Sequence, residues 1–384
     1  MAARGENANT HNNGRENVMS MNLDKLLRHG CAVLRGLAIA SALGLAAATT
    51  ALSQGLVIDG EQIGDEALLK AAQAEGDLLY YTVNLEDKER AALDVFKQDT
   101  GINFDVVRLN GSRMYERVVT EFGGNSLAAD VVSMSDFVLM QDLLAKNVFT
   151  PHKVPSWDAI PAELKNPDGL YYVENRYAKV FGYNTQLLPE ADAPKSWKAL
   201  LDPKLKGRIG IQEANSGGIA WTTVLMQRQL VDPDYWQKLA ANQPRLYTGL
   251  TQAAEDVARG ELLVSEMLPV QGLTLLDAGA PIKLIFPEEG LPSSAILVGV
   301  TSTARHPNAA KLYVNWLMSK RGGAVIADSF KDWPSNPAAP VPNLDKYGIT
   351  MPAATQLWEA NKEDWVKLRE PWLKEWEQVF RSGK

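Results

Sequence analysis

Cysteine is nearly absent: the 384 residues contain one, Cys31, ahead of an uncharged run from Gly36 to Leu52. Beyond that run there is no disulfide and no thiol, so the fold must be held by its hydrophobic core, which this length permits. Histidine is almost as scarce, with four in all and only His152 and His306 after residue 53. That excludes Cys–His and His-rich zinc chemistry and leaves Ser–His catalysis poorly supplied. Also missing are a Gly-x-Ser-x-Gly elbow, a Walker loop, like-charge blocks, low-complexity tracts and a fixed-period repeat. Excess positive charge is lacking too; the net charge is −7, which disfavours nucleic acid and anionic membranes as partners. Nothing promotes a carboxylate-pair hydrolase, and neither an enzymatic activity nor a cofactor is expected.

What is present begins with a leader. Residues 1–20 are polar and Asn-rich, and Met21 is the better start. Lys25, Arg28 and Arg35 then precede the apolar run, and Ala51-Leu52-Ser53 sets small residues at the two positions a signal peptidase reads. This is the pattern of a cleavable secretory signal. The run is short and weakly apolar for a membrane anchor, and Cys31 lies on the wrong side of it for lipidation. Residues 1–53 carry five basic and three acidic side chains, so the remainder has a net charge of −9. A soluble, monomeric periplasmic protein without stable membrane insertion is expected.

Periodicity places a buried strand at Leu78–Val83, a helix at Glu86–Asp99, a strand at Phe104–Leu109 and a helix at Met114–Phe122. A strand at Asp130–Met134 and a helix at Phe137–Lys146 follow, and this alternation predicts a parallel sheet with crossover helices. Four prolines then mark residues 147–175 as loops, and Arg176–Asn184 reads as a strand leaving the unit. A second α/β unit follows, with a helical region at 234–259 and strands at 262–267 and Ile282–Phe286. After it come a strand at Ser294–Thr301 and a helix from His306 through Met318. In the tail, Trp358, Trp365 and Trp372 recur every seven residues, with Val379 continuing the row and Trp376 beside it. That stripe predicts two helices, divided near Pro371, docked on a lobe.

One stretch organises the second unit. Ile209–Gln212 alternates as a strand, Asn215-Ser216-Gly217-Gly218 turns, and Ile219–Gln227 reads as a helix with Ser216 as its N-cap. Two glycines let a ligand approach the free N–H groups, and the helix end favours negative charge. The same stretch also reads as an ordinary strand–turn–helix corner.

Several segments together carry a resemblance: Phe96-Lys-Gln-Asp-Thr-Gly-Ile102, Ala129-Asp-Val-Val132, Gly182-Tyr-Asn184, Ser196-Trp-Lys-Ala-Leu-Leu-Asp-Pro203, Lys206-Gly-Arg-Ile209, Ser216-Gly-Gly218 and His306-Pro-Asn-Ala-Ala310. In this order the chain resembles the solute-binding proteins of ABC importers, in the branch of ferric-iron, sugar-phosphate, phosphonate, thiamine and polyamine receptors. The resemblance implies an α/β, two-lobed periplasmic binding protein type II fold, with a ligand cleft between lobes joined by crossover strands. It puts lobe one at 76–176 plus 293–340, and lobe two at 177–292 plus 341–384 with the Trp-rich helices. It also implies an inner-membrane ABC permease as partner.

Iron-binding members hold ferric iron with a His, a Glu and two adjacent tyrosines, and the resemblance puts these on Leu85, Ser135, Val270 and Gln271. None of the four supplies the hard anionic oxygen that ferric iron needs. The anion corner survives: Ser216, Gly217 and Gly218 match its strand–turn–helix end, and Arg176 matches the arginine that assists it, or else makes a plain ion pair. Asn84, Ser135 and Asp136 end lobe-one strands, where ligands of open α/β sheets collect. Trp221 is a cleft wall or a core residue, while Met267 and Gln271 occupy the lobe-two cleft position. The expected function is capture of a small organic anion (phosphonate, phosphate ester, sulfonate or carboxylate) by hinge closure, with no metal. Alternatives are a ferric-iron binder with altered ligands, or a receptor feeding a membrane signalling sensor.

Overall fold

The computed structural model describes residues 55–381, so the expected leader and Cys31 lie outside the described residues. A short antiparallel pair, β1 (Leu56–Ile58) and β2 (Glu61–Gly64), opens the fold and leads into helix α1 (Glu66–Glu75). Asp65 caps that helix by accepting from Leu68 N at 2.7 Å, and Gly76 ends it at φ 77°, which glycine adopts without strain. These elements precede residue 76, where the resemblance places the start of lobe one. Asp65 followed by Leu68, Leu69 and Ala72 is the helical signal there.

The expected alternation follows as β3 (Leu79–Thr82), α2 (Glu86–Thr100), β4 (Asp105–Arg108), α3 (Gly111–Gly123), β5 (Val131–Met134) and α4 (Phe137–Ala145). Strands β4, β3 and β5 are parallel neighbours, as crossover helices require. The chain then runs through β6 (Tyr172–Ala178) into β7 (Val180–Asn184), interrupted only at Lys179. Lys179 is where the chain changes lobe, because β6 belongs to the first sheet and β7 to the second.

Lobe two comprises β8 (Ile209–Gln212), α5 (Gly218–Met226), α6 (Tyr235–Ala241), β9 (Arg245–Tyr247), α7 (Leu250–Ala258), β10 (Val264–Met267), α8 (Pro269–Asp277) and β11 (Ile282–Ile285). Its strand order is β11-β7-β10-β8-β9. The region expected to be helical throughout 234–259 is split by β9. Pro244 supplies no N–H to a helix and Gln243 takes φ 50°, so the chain must turn there.

The chain crosses back in β12 (Leu291–Val300), which runs antiparallel to both β5 and β6 and makes the first sheet mixed. Helices α9 (Pro307–Leu317) and α10 (Lys320–Phe330) and the short β13 (Trp333–Pro334) complete that lobe. At the crossing, Lys179 N donates to Pro292 O at 3.0 Å, binding the two connecting segments together.

The tail closes the back of the molecule. Strand β14 (Leu357–Trp358) pairs in parallel with the first residues of β12, then α11 (Lys362–Lys367) and α12 (Arg369–Arg381) dock on lobe two. Trp358 therefore sits in a strand, off the expected helical stripe. Pro371 falls in the first turn of α12, where its missing N–H is harmless. Trp365, Trp372 and Trp376 join Trp221 and Trp236 in one core, with the rings of Trp236 and Trp372 edge to face at 5.6 Å. Among the described residues no helix is long and apolar enough to cross a membrane.

Candidate functional site

Between the lobes lies a cavity of about 230 Å³. Lobe one contributes Asn84, Leu85, Arg108, Ser135 and Tyr177, and lobe two contributes Gln212, Ser216, Thr248, Thr251 and Gln271. The lobe-one groups stand where strands β3, β4 and β5 end, because in a parallel sheet every strand runs into its crossover helix at the same edge. On the lobe-two side, α5 and α7 both begin at this cleft. Their N-caps, Gly217 and Gly249, provide no side-chain acceptor, so neither first turn is internally capped. Two uncapped helix ends aimed at one space make it electropositive, in addition to the charge of Arg108. Tyr177, Ile219 and Ile296, with Val83 and Leu268 packed on them, form an apolar patch beside these polar groups. Outward, the cleft continues as a groove lined by Asn110, Asp136, Asn215 and Gly217.

The organising corner folds as read, shifted by one residue. The N-cap is Gly217, not Ser216, because the chain enters the helix at φ 147° and ψ −178°, a conformation only glycine adopts readily. Freed from capping, Ser216 lines the cavity. Gly218 lies against the opposite lobe: a Cβ there would sit 2.3 Å from Ser135 O.

Arg176 is not in this cavity. Successive strand residues face opposite sides of a sheet. Tyr177 faces the cleft and Arg176 therefore faces away, into a separate cavity behind it. The arginine the cleft does hold is Arg108, the last residue of β4. It is exposed, donates from Nε to Asn84 O at 3.2 Å, and makes no ion pair among the described residues. Its position could have been read from the strand-end rule that selected Asn84 and Ser135.

Asp136 lines the outer groove but is already committed. It caps α4 by accepting from Val138 N and Leu139 N, and it pairs with Arg369 across the lobes at 2.8 Å. Trp221 and Met267 are core residues, both fully buried. Trp221 donates to Trp365 O at 2.8 Å, and Met267 fills the space left by the missing side chains of Gly182 and Gly272. Both side chains point into their own lobe, and neither lines the cleft or its outer groove. Gln271 does line the cavity, although its Oε1 accepts from Leu268 N at the start of α8. The sequence reading missed Gln212, whose buried Oε1 has no hydrogen-bond partner among the described residues.

Beneath the floor lies an acid network. Asn84 Nδ2 donates to Glu89 Oε2 at 2.9 Å and to Glu174 Oε1 at 3.0 Å, which commits both its protons. Burial pushes the Glu89 carboxyl up to about 7, and burial together with the charge of Glu89 pushes Glu174 well above the usual range. The two titrate as a pair. Because their folded values exceed the unfolded ones, stability is fully present below about pH 4.5 and falls as the pH rises through about 7. Glu89→Gln mimics the protonated form, since its carbonyl can accept from Thr82 and Asn84 while its amide donates to Tyr313. The variant is expected to gain roughly 1–3 kcal/mol at about pH 8 and little at about pH 4. Urea unfolding at the two pH values checks this; an equal effect at both would show that the carboxyl does not titrate in the folded protein. Asp332, also in the cavity lining, is likewise held well above the carboxylate range by burial, against one hydrogen bond from Asn175.

Comparison with known proteins identifies the architecture. The sequence profile described as "Bacterial extracellular solute-binding protein" matches residues 127–353. The chain belongs to that family. Its members include the periplasmic substrate-binding proteins of ABC importers, and the two lobes joined by crossover strands are the type II binding-protein fold. An uncharacterised protein of Haemophilus influenzae is 26% identical over 347 residues, covering 85% of this chain and 97% of its own. The Fe(3+)-binding periplasmic protein of Serratia marcescens is 22% identical, covering 67% and 78%. Among solved structures, iron-bound HitA from Pseudomonas aeruginosa superposes with a TM-score of 0.66 at 17% identity, over 78% of this chain and 99% of HitA. AfuA from Actinobacillus pleuropneumoniae, with fructose-6-phosphate bound, gives 0.64 at 22% identity, over 80% and 99%. At these identities the superpositions speak for the fold of this solute-binding protein and not for its ligand.

Proposed function

We propose that this solute-binding protein is a periplasmic receptor that captures a small organic anion in the interlobe cavity and delivers it to an inner-membrane ABC permease. The observation that carries the reading is the meeting of two uncapped helix starts, α5 and α7, with the unpaired Arg108 around one space. Asp332 does not oppose an anion there, because its burial favours the neutral acid, which can donate a hydrogen bond. The unpartnered Gln212 Oε1 accepts from the guest, so the guest carries a donor, a hydroxyl or an amine, besides its anionic group. The apolar patch of Tyr177 and Ile296 suits a carbon body.

Ferric iron is the cargo named for several relatives, and the donor chemistry here argues against it. The positions that resemble their ligands hold Leu85, Ser135, Val270 and Gln271, and all four line the cavity without offering an anionic oxygen. Burial pushes the cavity's phenol, Tyr177, up to about 12, so it stands neutral.

A thermal-shift panel of a sugar phosphate, a phosphonate, a sulfonate, hydroxycarboxylates, neutral sugars and ferric citrate tests the proposal. An organic anion should raise Tm, and Arg108→Ala should weaken its binding by roughly 10- to 150-fold, the loss of charge-assisted hydrogen bonds worth about 1.5–3 kcal/mol. The exposed side chain makes the variant's own stability nearly unchanged. Stabilisation only by neutral sugars or by iron would sink the reading.

A further inference from the structure

We propose that the cavity behind the cleft is a second binding site, for a small apolar monocarboxylate, anchored by Arg176. This cavity measures about 120 Å³ and shares only Ser135 with the lining of the interlobe cleft. Pockets of about 150 Å³ hold one benzene ring, so the guest is of that size.

Strand pairing explains why the space exists. Arg176 of β6 stands directly across from Ala295 of β12, and Ser293, Ala295 and Leu297 share that face. The small Ala295 leaves the guanidinium uncovered. Across the gap the tail supplies Ala360, Lys362 and Trp365, and α5 supplies Thr222, so the site spans both lobes.

The polar end is underused. Arg176 Nε is buried with no hydrogen-bond partner among the described residues. The nearest carboxylate, Glu359, stands 3.6 Å from Nη1, beyond hydrogen-bonding distance, and more than half of it is exposed to solvent. A buried guanidinium N–H without an acceptor is left with its desolvation cost unrelieved, and a planar carboxylate relieves it through two parallel bonds. The hydroxyl of Ser293 lies in the same lining. The opposite end is apolar: Phe137, Leu164, Tyr171, Val173, Leu297 and Trp365 suit a hydrocarbon or aromatic body rather than a sugar. The acidic rim, Glu163 and Glu359, is balanced by Lys362, whose ammonium lies 4.9 Å from the Phe137 ring centroid, and by Arg176 itself. The apolar far end offers a second carboxylate no partner, which restricts the class to monoacids. Because lobe one provides the anchor and lobe two with the tail provides the cover, an occupant favours the arrangement that keeps the two together.

Benzoate is the probe, titrated calorimetrically into the mature protein and into Arg176→Ala, Ala295→Leu and Arg108→Ala. Expected is saturable binding to the wild type and to Arg108→Ala, and at least about tenfold weaker binding to the other two, the loss of one charge-assisted contact or of the space. Ala295→Leu leaves the arginine in place, so it separates loss of the site from misfolding of Arg176→Ala. The proposal is overturned if wild-type protein shows no binding at millimolar benzoate, if binding survives both back-cavity changes, or if it is lost in Arg108→Ala, which would place benzoate in the cleft. The first two outcomes leave the cleft proposal untouched, and the third would overturn the back-cavity site while supporting anion binding in the cleft.

Discussion

Lys179→Met is expected to destabilise the protein by about 3–5 kcal/mol, the effect of stranding a buried charge. Lys179 sits at the lobe crossing, and its ammonium meets Glu266 Oε2 at 2.9 Å with both side chains almost fully buried. The same oxygen accepts from Gln212 N at 2.9 Å. Desolvation holds the Lys179 ammonium below its ordinary range even though Glu266 opposes the shift, so the pair balances a large penalty against a large attraction. Removing the lysine leaves only the penalty. Adding Glu266→Gln to the variant should recover most of the loss, because the amide oxygen still accepts from Gln212 and no charge remains buried. Urea unfolding of the single and double variants measures both numbers. A loss below about 1 kcal/mol for the single variant would mean that water reaches the pair, as in an exposed bridge.

Gly218→Ala should impair closure while leaving the lobes folded. Inside a helix this change ordinarily stabilises by about 1 kcal/mol, since alanine has the better propensity. Here the added methyl would lie 2.3 Å from Ser135 O and 3.0 Å from Ser294 Oγ, both on the opposite lobe. The Ser135 carbonyl belongs to the backbone between β5 and α4, which is fixed at both ends, so it cannot move aside and the lobes must stay apart. Overpacking of this kind costs about 1–3 kcal/mol, which appears as roughly 5- to 150-fold weaker capture of the anion. Small-angle scattering checks the cause: ligand should shrink the wild-type radius of gyration more than that of the variant. Equal compaction in the two proteins would show that α5 does not meet lobe one in the liganded state.

Much of the lobe-one order was legible because local pattern and tertiary role agree there. The helix at 86–100 carries its apolar stripe and a C-terminal glycine at 101, and β3, β4 and β5 are short apolar runs at regular spacing. Position β9, three residues long, and the antiparallel insertion of β12 carry no such local signature. Both exist because partner strands far along the chain offer hydrogen bonds. The same limit governs the site. Ser216, named from its turn, and Gln271, named from the resemblance, both line the cavity, whereas Trp221 and Met267 point into their own lobe.

The chain on its own determined the α/β alternation, the scarcity of thiol and imidazole, and the strand–turn–helix corner with its glycines at 217–218. Each of these is written in residues that neighbour one another. The structure moved the N-cap from Ser216 to Gly217 and so left that helix start uncapped. Which arginine lines the cleft was decided only by tertiary structure. Arg108 and Arg176 both end or lie near strands of one sheet, and only the register of β6 against β12, with Tyr177 turned inward, sends one side chain to the cleft and the other behind it.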